Sequence, residues 1–294
     1  MHFGVALPHF SRLASREAVV TLAREAEALG YESLWTTDHV LMAADQPEPY
    51  GTILEAAITL GYVAALTERI RLGTSVIVLP QREPVLVAKQ AATLDVLSNG
   101  RMILGVGAGW NEREFGYLGA SFHDRGRRLD EYIQALRTLW SEPDPRFDGK
   151  FVHLADVSFQ PRPVQAGGPP IWLGGGSRAA LRRAATLCDG WHAVGVTVEE
   201  FAAGMETIRA LAGERTVVGS VRLRAAVGRT LANQRSARGG VQTQLSGSRE
   251  EVVERIQAYA AAGAAELVLH FGADDLEANL ADMRHFAEEI PARV

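Results

Sequence analysis

Residues Ile70–Phe115 narrow the fold more than any other stretch. They read IRLGTSVIVLPQREPVLVAKQAATLDVLSNGRMILGVGAGWNEREF. Ile70–Val78 is rich in β-branched residues, and Val85–Leu97 carries apolar residues at helical spacing. Ser98-Asn99-Gly100 ends that helix, and Met102–Val106 is a second apolar run. Two apolar strands around a crossover helix make a βαβ unit, which requires a parallel sheet. The first strand ends in Ser75-Val76, the second in Gly105-x-Gly107-x-Gly109. Strand ends of this kind are where parallel α/β folds place their sites.

The same alternation runs along the chain. Strands are expected at Phe3–Leu7, Ser33–Thr37, Ile171–Leu173, Gly190–Val194, Val217–Val227 and Glu266–Phe271, each followed by a helical segment. With the two strands of the central unit, that gives eight strand–helix alternations, and the simplest closed arrangement is an α/β (β/α)8 TIM barrel with insertions. A doubly wound open sheet is the alternative. It is disfavoured because no strand is followed by a well-placed GxGxxG with a downstream acidic residue. One barrel domain is expected over residues 1–294. A hairpin or loop insertion is expected at 143–170, where prolines cluster, and a mobile loop at 228–247, which is rich in Gly, Arg and Gln.

Composition excludes several functions. A net charge of −5 over 294 residues leaves no basic footprint for nucleic acid. Apolar content of 47% and charged content of 22% are globular values. No apolar run approaches the ~20 residues of a membrane span, and MHFGVALPHF lacks a basic signal-peptide start. A cytoplasmic protein without membrane contact is expected. Cys188 is the single cysteine, so neither an internal disulfide nor a cysteine metal cluster is expected. Metal-ligand spacing such as HExxH is absent, and Gly175-Gly176-Ser177-Arg178-Ala179 is no nucleophile elbow.

In a barrel, the polar strand-end residues gather at one mouth. His9, His39, His192 and His270, four of the eight histidines, fall there. Asp38-His39 is the pair with most chemistry: histidine titrates near neutrality and can move a proton, while its neighbour braces the strand end. A loop-capping aspartate beside a surface histidine reads the same residues equally well. Gly174-Gly175-Gly176-Ser177 sits between a strand and a helix, and backbone amides there with the helix dipole suit a phosphate. The bare backbone of Gly105–Gly109 suits close approach of a flat ring.

Three motifs together resemble the luciferase-like monooxygenase family, in particular its coenzyme F420-dependent branch. They are LWTTDH (Leu34–His39), the stretch Glu68–Phe115, and PPIWLGGGSRAALRRAATLCDGW (Pro169–Trp191). The resemblance implies a barrel, usually a homodimer, with a flavin or deazaflavin at the C-terminal mouth. It implies catalytic roles for His39 and Asp38, and a non-proline cis peptide at Ser75-Val76 behind the ring. Coenzyme contacts are implied from Ser75, Val76, Gly107, Ala108, Gly109 and Asn111, with Gly174, Gly175, Gly176 and Ser177 at the phosphate. His9, Trp110, His192 and His270 are weaker candidates for the substrate pocket. The sugar-phosphate dehydrogenases of the family carry a glutamate where this chain has Trp110, which suggests a less polar substrate. The expected activity is hydride transfer between F420 and an organic substrate. A reduced-FMN monooxygenase using O2 and a non-catalytic flavin-binding barrel are the alternatives.

Overall fold

The computed structural model describes residues 1–232, 234–235, 241–273 and 275–290. Eight parallel strands close on themselves: β1 (His2–Ala6), β2 (Ser33–Thr36), β3 (Arg71–Thr74), β4 (Met102–Gly107), β5 (Ile171–Gly174), β6 (Gly190–Val194), β7 (Val218–Val227) and β8 (Ala264–His270). Each pairs with its successor. Phe3 lies opposite Leu267 and Val5 opposite Leu269, so β8 also pairs with β1 and the ring is closed. The fold is a (β/α)8 barrel, and the open-sheet alternative fails on that last pairing.

Helices α1 (Arg16–Ala28), α2 (Ala56–Ala64), α3 (Pro84–Leu97), α4 (Glu112–Tyr117), α5 (Arg125–Ser141), α6 (Arg178–Leu187), α7 (Val198–Ala212), α8 (Arg249–Ala261) and α9 (Leu276–Glu289) lie between and after the strands. Side chains start several of them. Ser15 and Ser177 accept from the amides of Ala18 and Ala180, while Thr197 with Glu200 and Ser248 with Glu251 form capping boxes. Within residues 143–170, Phe147–Asp148 pairs antiparallel with His153–Leu154. Within residues 228–247, Gln244–Gly247 is a short strand along the end of β7, and residues 233 and 236–240 lie outside the described residues.

The barrel is filled below its mouth. Trp35, Ile103, Trp172 and Val268 form an interior cluster separate from the core between strands and helices. Glycines make room for the two indoles: a Cβ on Gly73 would stand 2.4 Å from the Trp35 ring, and one on Gly190 would stand 2.6 Å from Trp172. His192 stacks on Trp35 with ring centres 4.7 Å apart. The middle is closed by packed rings, and two chambers open at the C-terminal ends of the strands.

Candidate active site

The third strand is not one run of pairing as its β-branched composition suggests. It stops at Thr74, the Ser75–Val76 peptide is cis, and pairing resumes at Ile77–Val78 against Val106 and Gly107. The side chain of Val76 projects into the barrel mouth. A Cβ on Gly107 would lie 2.7 Å from it, and one on Gly174 would lie 2.9 Å from it. A Cβ on Gly105 would fall 1.8 Å from the Thr74 carbonyl oxygen. These glycines are bare because the ledge occupies the space a side chain would need. That corrects the reading of the glycine-rich strand end as an opening left for a ring. Gly175 serves its own turn at φ +106°. Gly176 alone of the 174–176 run has open space, with no atom within 4 Å of the position a Cβ would take.

Two adjoining chambers occupy the mouth. The outer chamber, about 330 Å3, is walled by Ser75, Val76, Gly107–Gly109, Trp110 and Gly174–Gly176, with Asp38 and His39 at one side. The inner chamber, about 400 Å3, is lined by Phe10, Arg12, Arg224, His270 and, just past β8, Gly272. Tyr50, Val194, Arg222 and Gln242 border both. Both volumes fall in the range of small-molecule sites.

His39 is held by a residue that its motif does not point to. Its Nδ1 is 2.9 Å from Oε2 of Glu114, a side chain only 1% exposed. The other oxygen, Oε1, accepts from the Val40 amide at 2.7 Å and the Leu41 amide at 3.4 Å. Burial opposes the charge of Glu114, but His39 and the Val40 amide outweigh it and hold the carboxyl below its ordinary pKa. A carboxylate only accepts, so Nδ1 carries the proton and Nε2 is left as the acceptor. The His39 ring lies against Tyr50 at 4.4 Å and meets the edge of Trp110 at 5.6 Å. The sequence signal for Glu114 was its place three residues after Asn111, whose side chain caps α4.

Asp38 does not face the chamber with a free carboxylate. Oδ2 accepts from the Val78 amide at 2.9 Å and from Arg82 Nε at 3.3 Å, and Oδ1 accepts from Arg82 Nη2 at 2.6 Å. Arg82 also pairs with Glu55. Asp38 therefore ties β2 to the segment after Val76 while lining one side of the outer chamber.

Other expected residues are also corrected. His9 is buried outside both chambers. Its Nε2 accepts from the Thr37 amide at 2.9 Å, and Nδ1 donates to the Leu7 carbonyl at 3.0 Å. His192 is fully buried, bridging Ser75 Oγ (2.8 Å) and Ser220 Oγ (3.0 Å) beneath the ledge, and burial pushes its pKa down to about 3. It supports Ser75 and touches no chamber. Asn111 and Ser177 are helix caps rather than chamber walls. Trp110 and His270 do line the chambers.

Arg222 is a further residue missed. Its guanidinium is buried, and its Nη1 donates to Thr37 Oγ1 and to the carbonyl and hydroxyl of Ser75, both at 3.3 Å. Desolvation lowers its pKa, against an opposing contribution from Tyr50. The signal was an arginine at alternate positions of an otherwise apolar strand, VRLRAAV. Among the described residues no group of His, Cys, Asp or Glu is placed to hold a metal ion, and no helix is long and apolar enough to cross a membrane.

The sequence profile of the luciferase-like monooxygenase family matches residues 1–236. The chain belongs to that family. The luciferase-like barrel is shared with solved structures of low identity. A monooxygenase from Streptomyces bottropensis superposes with a TM-score of 0.83 at 23% identity, covering 99% of this chain and 98% of that one. An F420-dependent secondary alcohol dehydrogenase, solved with an F420–acetone adduct, gives 0.80 at 18% identity, covering 99% and 98%. In sequence, the FMNH(2)-dependent dimethylsulfone monooxygenase of Pseudomonas fluorescens is 35% identical over 195 residues, which are 65% of this chain and 51% of that protein. This luciferase-like chain is thus an oxidoreductase or monooxygenase by family.

Proposed function

We propose that the protein is a coenzyme F420-dependent oxidoreductase, moving a hydride between the deazaflavin and an organic substrate. The observation that carries this reading is the buried His39–Glu114 pair at the wall of the outer chamber. The chamber fits a flat tricyclic ring: Val76 offers an apolar ledge, and Ala108 and Trp110 line the same space. The open space at Gly176, beside the start of α6, suits a phosphate on backbone amides. When bound, the coenzyme supplies or accepts the hydride.

The chain's own residues then bind, orient and handle the proton. Val76 and the strand-end glycines position the ring, and His192 and Thr37 hold Ser75 and Arg222 beneath it. His39 Nε2 takes a proton from a substrate hydroxyl in one direction and returns it in the other. Glu114 fixes the tautomer and favours the imidazolium that forms. Asp38 acts only by holding the segment after the ledge.

A reduced-FMN monooxygenase using O2 is the second reading. It is supported by the 35% identity to an FMNH(2)-dependent relative, against 18% for the F420-dependent one. Fluorescence titration of the full chain with F420 and with FMN separates the two. Tighter F420 binding supports hydride transfer. Tighter FMN binding, with oxygen consumed once reductant is added, supports oxygenation. Binding of neither overturns both.

A homodimer belongs to the same proposal. Ile58 and Tyr62 on α2, with Leu86 and Leu97 on α3, leave an apolar face on two adjacent helices, and Ile58 and Leu97 are 73% and 72% exposed. A second copy of the chain, presenting the same face, would cover it.

A further inference from the structure

A row of rings runs from the outer chamber into the inner one. His39 lies 4.4 Å from Tyr50, Tyr50 lies 5.4 Å from Phe10, and Phe10 lies 5.6 Å from His270, centre to centre. Neighbouring planes are tilted by 31°, 49° and 41°, so none of these pairs is edge-on. The rings come from segments far apart in sequence: the end of β2, the connection from β2 to α2, the chain just past β1 and the last residue of β8. Tyr50, Phe10 and His270 line the inner chamber, and Tyr50 borders both chambers.

The wall is held in place before anything binds. Phe10 is buried and meets the His9 ring edge-on at 5.4 Å. The segment that carries Tyr50 is pinned beside it: the Ser11 amide donates to the Thr52 carbonyl at 2.7 Å, and the Leu54 amide donates to the His9 carbonyl at 2.8 Å. A preformed wall loses little conformational freedom when a ligand lies on it. At the far end, burial, with Arg222 and Arg224 beside it, pushes the pKa of His270 down to about 3, so the imidazole is neutral near neutral pH. Neither of its ring nitrogens has a hydrogen-bond partner among the described residues. A neutral imidazole has one donor and one acceptor, and here both are left to the contents of the chamber.

We propose that the inner chamber is the substrate compartment, and that it takes planar aromatic substrates, stacked along Tyr50 and Phe10 with a hydroxyl or carbonyl bonded to His270. Aromatic rings gain from offset or tilted contact with other rings beyond the area they bury, which a saturated ring of the same size does not. The row of rings also sets direction: a substrate lying on Phe10 and Tyr50 has one end at His270 and the other toward His39. That the ligand is the substrate rests on the outer chamber taking the coenzyme. The aromatic site itself does not.

Isothermal titration of the full chain with 1-cyclohexylethanol, 1-phenylethanol and 1-(4-hydroxyphenyl)ethanol tests the site. The phenyl alcohol is expected to bind at least about threefold more tightly than the cyclohexyl one, the gain of an aromatic contact. The hydroxyphenyl alcohol is expected to gain about threefold again from the bond to His270. Phe10→Leu and Tyr50→Leu should each bring the phenyl-to-cyclohexyl ratio toward one, and if Phe10→Leu does not fold, Tyr50→Leu decides. His270→Phe should abolish the hydroxyphenyl gain and keep the phenyl preference. Trp110→Leu, which alters the outer chamber alone, should leave both ratios unchanged. A wild-type phenyl ratio near one or reversed, no binding at millimolar concentration, a ratio unchanged in Tyr50→Leu, or one lost in Trp110→Leu would overturn the site. A hydroxyphenyl gain that survives in His270→Phe would overturn the role of His270. Repeating the titration with F420 or FMN bound tests the compartment: retained 1-phenylethanol affinity supports it, and its displacement by coenzyme overturns it. Intact ratios without binding of either coenzyme would leave the aromatic site standing while the proposed oxidoreductase reading fails.

Discussion

Nδ1 of His39, at the end of β2, lies 2.9 Å from Oε2 of Glu114 on α4, 75 residues further along the chain. The pair joins a strand end to a helix that packs over the mouth, and it leaves Nε2 as the working atom. His39→Ala should therefore lower kcat by roughly 10²–10⁴ with little change in coenzyme affinity. Glu114→Gln, which keeps the shape and removes the charge, should reproduce a large part of that loss. Asp38→Asn should behave differently, lowering Tm by weakening the pair with Arg82 while kcat, measured below the melt, stays within severalfold. Steady-state kinetics with thermal melts on the three variants check this. A wild-type kcat in His39→Ala would remove His39 from the chemistry.

Two glycines with the same sequence appearance should respond in opposite ways. At Gly107 an added Cβ meets Val76 at 2.7 Å, so Gly107→Ala should cost about 1–3 kcal/mol of stability through overpacking. At Gly176 the same methyl meets nothing, so Gly176→Ala should leave stability within about 0.5 kcal/mol and weaken coenzyme binding. Melts and coenzyme titrations on both variants are the measurement. Wild-type coenzyme affinity in Gly176→Ala would remove the amide cradle from the account.

Histidines held neutral by their surroundings set a pH dependence of stability. His192 and His270, ordinarily titrating at 6.5, stay neutral to about 3 in the fold, and burial lowers His9 as well. Below 6.5 the unfolded chain binds protons that the folded chain does not, so stability falls as pH drops from 6.5 toward 3. Each group contributes up to about 1.4 kcal/mol per pH unit in that window. Glu114, with a depressed pKa, adds its own loss only below the ordinary carboxylate range, while burial raises Glu266 and so offsets part of the histidine loss between roughly pH 5 and 6.5. Denaturant titrations across that interval should show a falling midpoint, and His192→Gln should flatten it. A flat wild-type profile would contradict the neutral state of these rings.

The apolar face of α2 and α3 predicts the assembly. Sedimentation velocity should find a dimer for the wild type and a monomer for Ile58→Glu with Leu86→Glu. A monomeric wild type, or a double variant that still dimerises, would place the contact elsewhere or nowhere.

The barrel was legible because each strand is a short apolar run closed by turn residues and followed by a helical pattern. The ledge was legible only through resemblance: Ile70–Val78 has the composition of one continuous strand, and nothing local marks the break at Ser75. The roles of the strand-end residues were the least legible. His9, His39, His192 and His270 look alike in sequence, yet one is braced by Glu114 at a chamber wall, one lines the inner chamber, and two are closed off by partners that include residues 28 or more positions away. Glu114 and Arg222 escaped because their meaning lies in partners from other strands and loops. Glycine runs misled in the same way: what stands above Gly107 and Gly174 is Val76, a residue far from both in the chain.

The central claim is that Val76, the bare amides near Gly176 and the His39–Glu114 pair form one coenzyme site. A crystal structure of the full chain soaked or grown with F420, and in parallel with FMN, tests it most directly. The account predicts density for a tricyclic ring against Val76, its phosphate at the start of α6, and His39 at the edge of the same chamber. A ring bound elsewhere, or one whose phosphate lies away from Gly175 and Gly176, would contradict it.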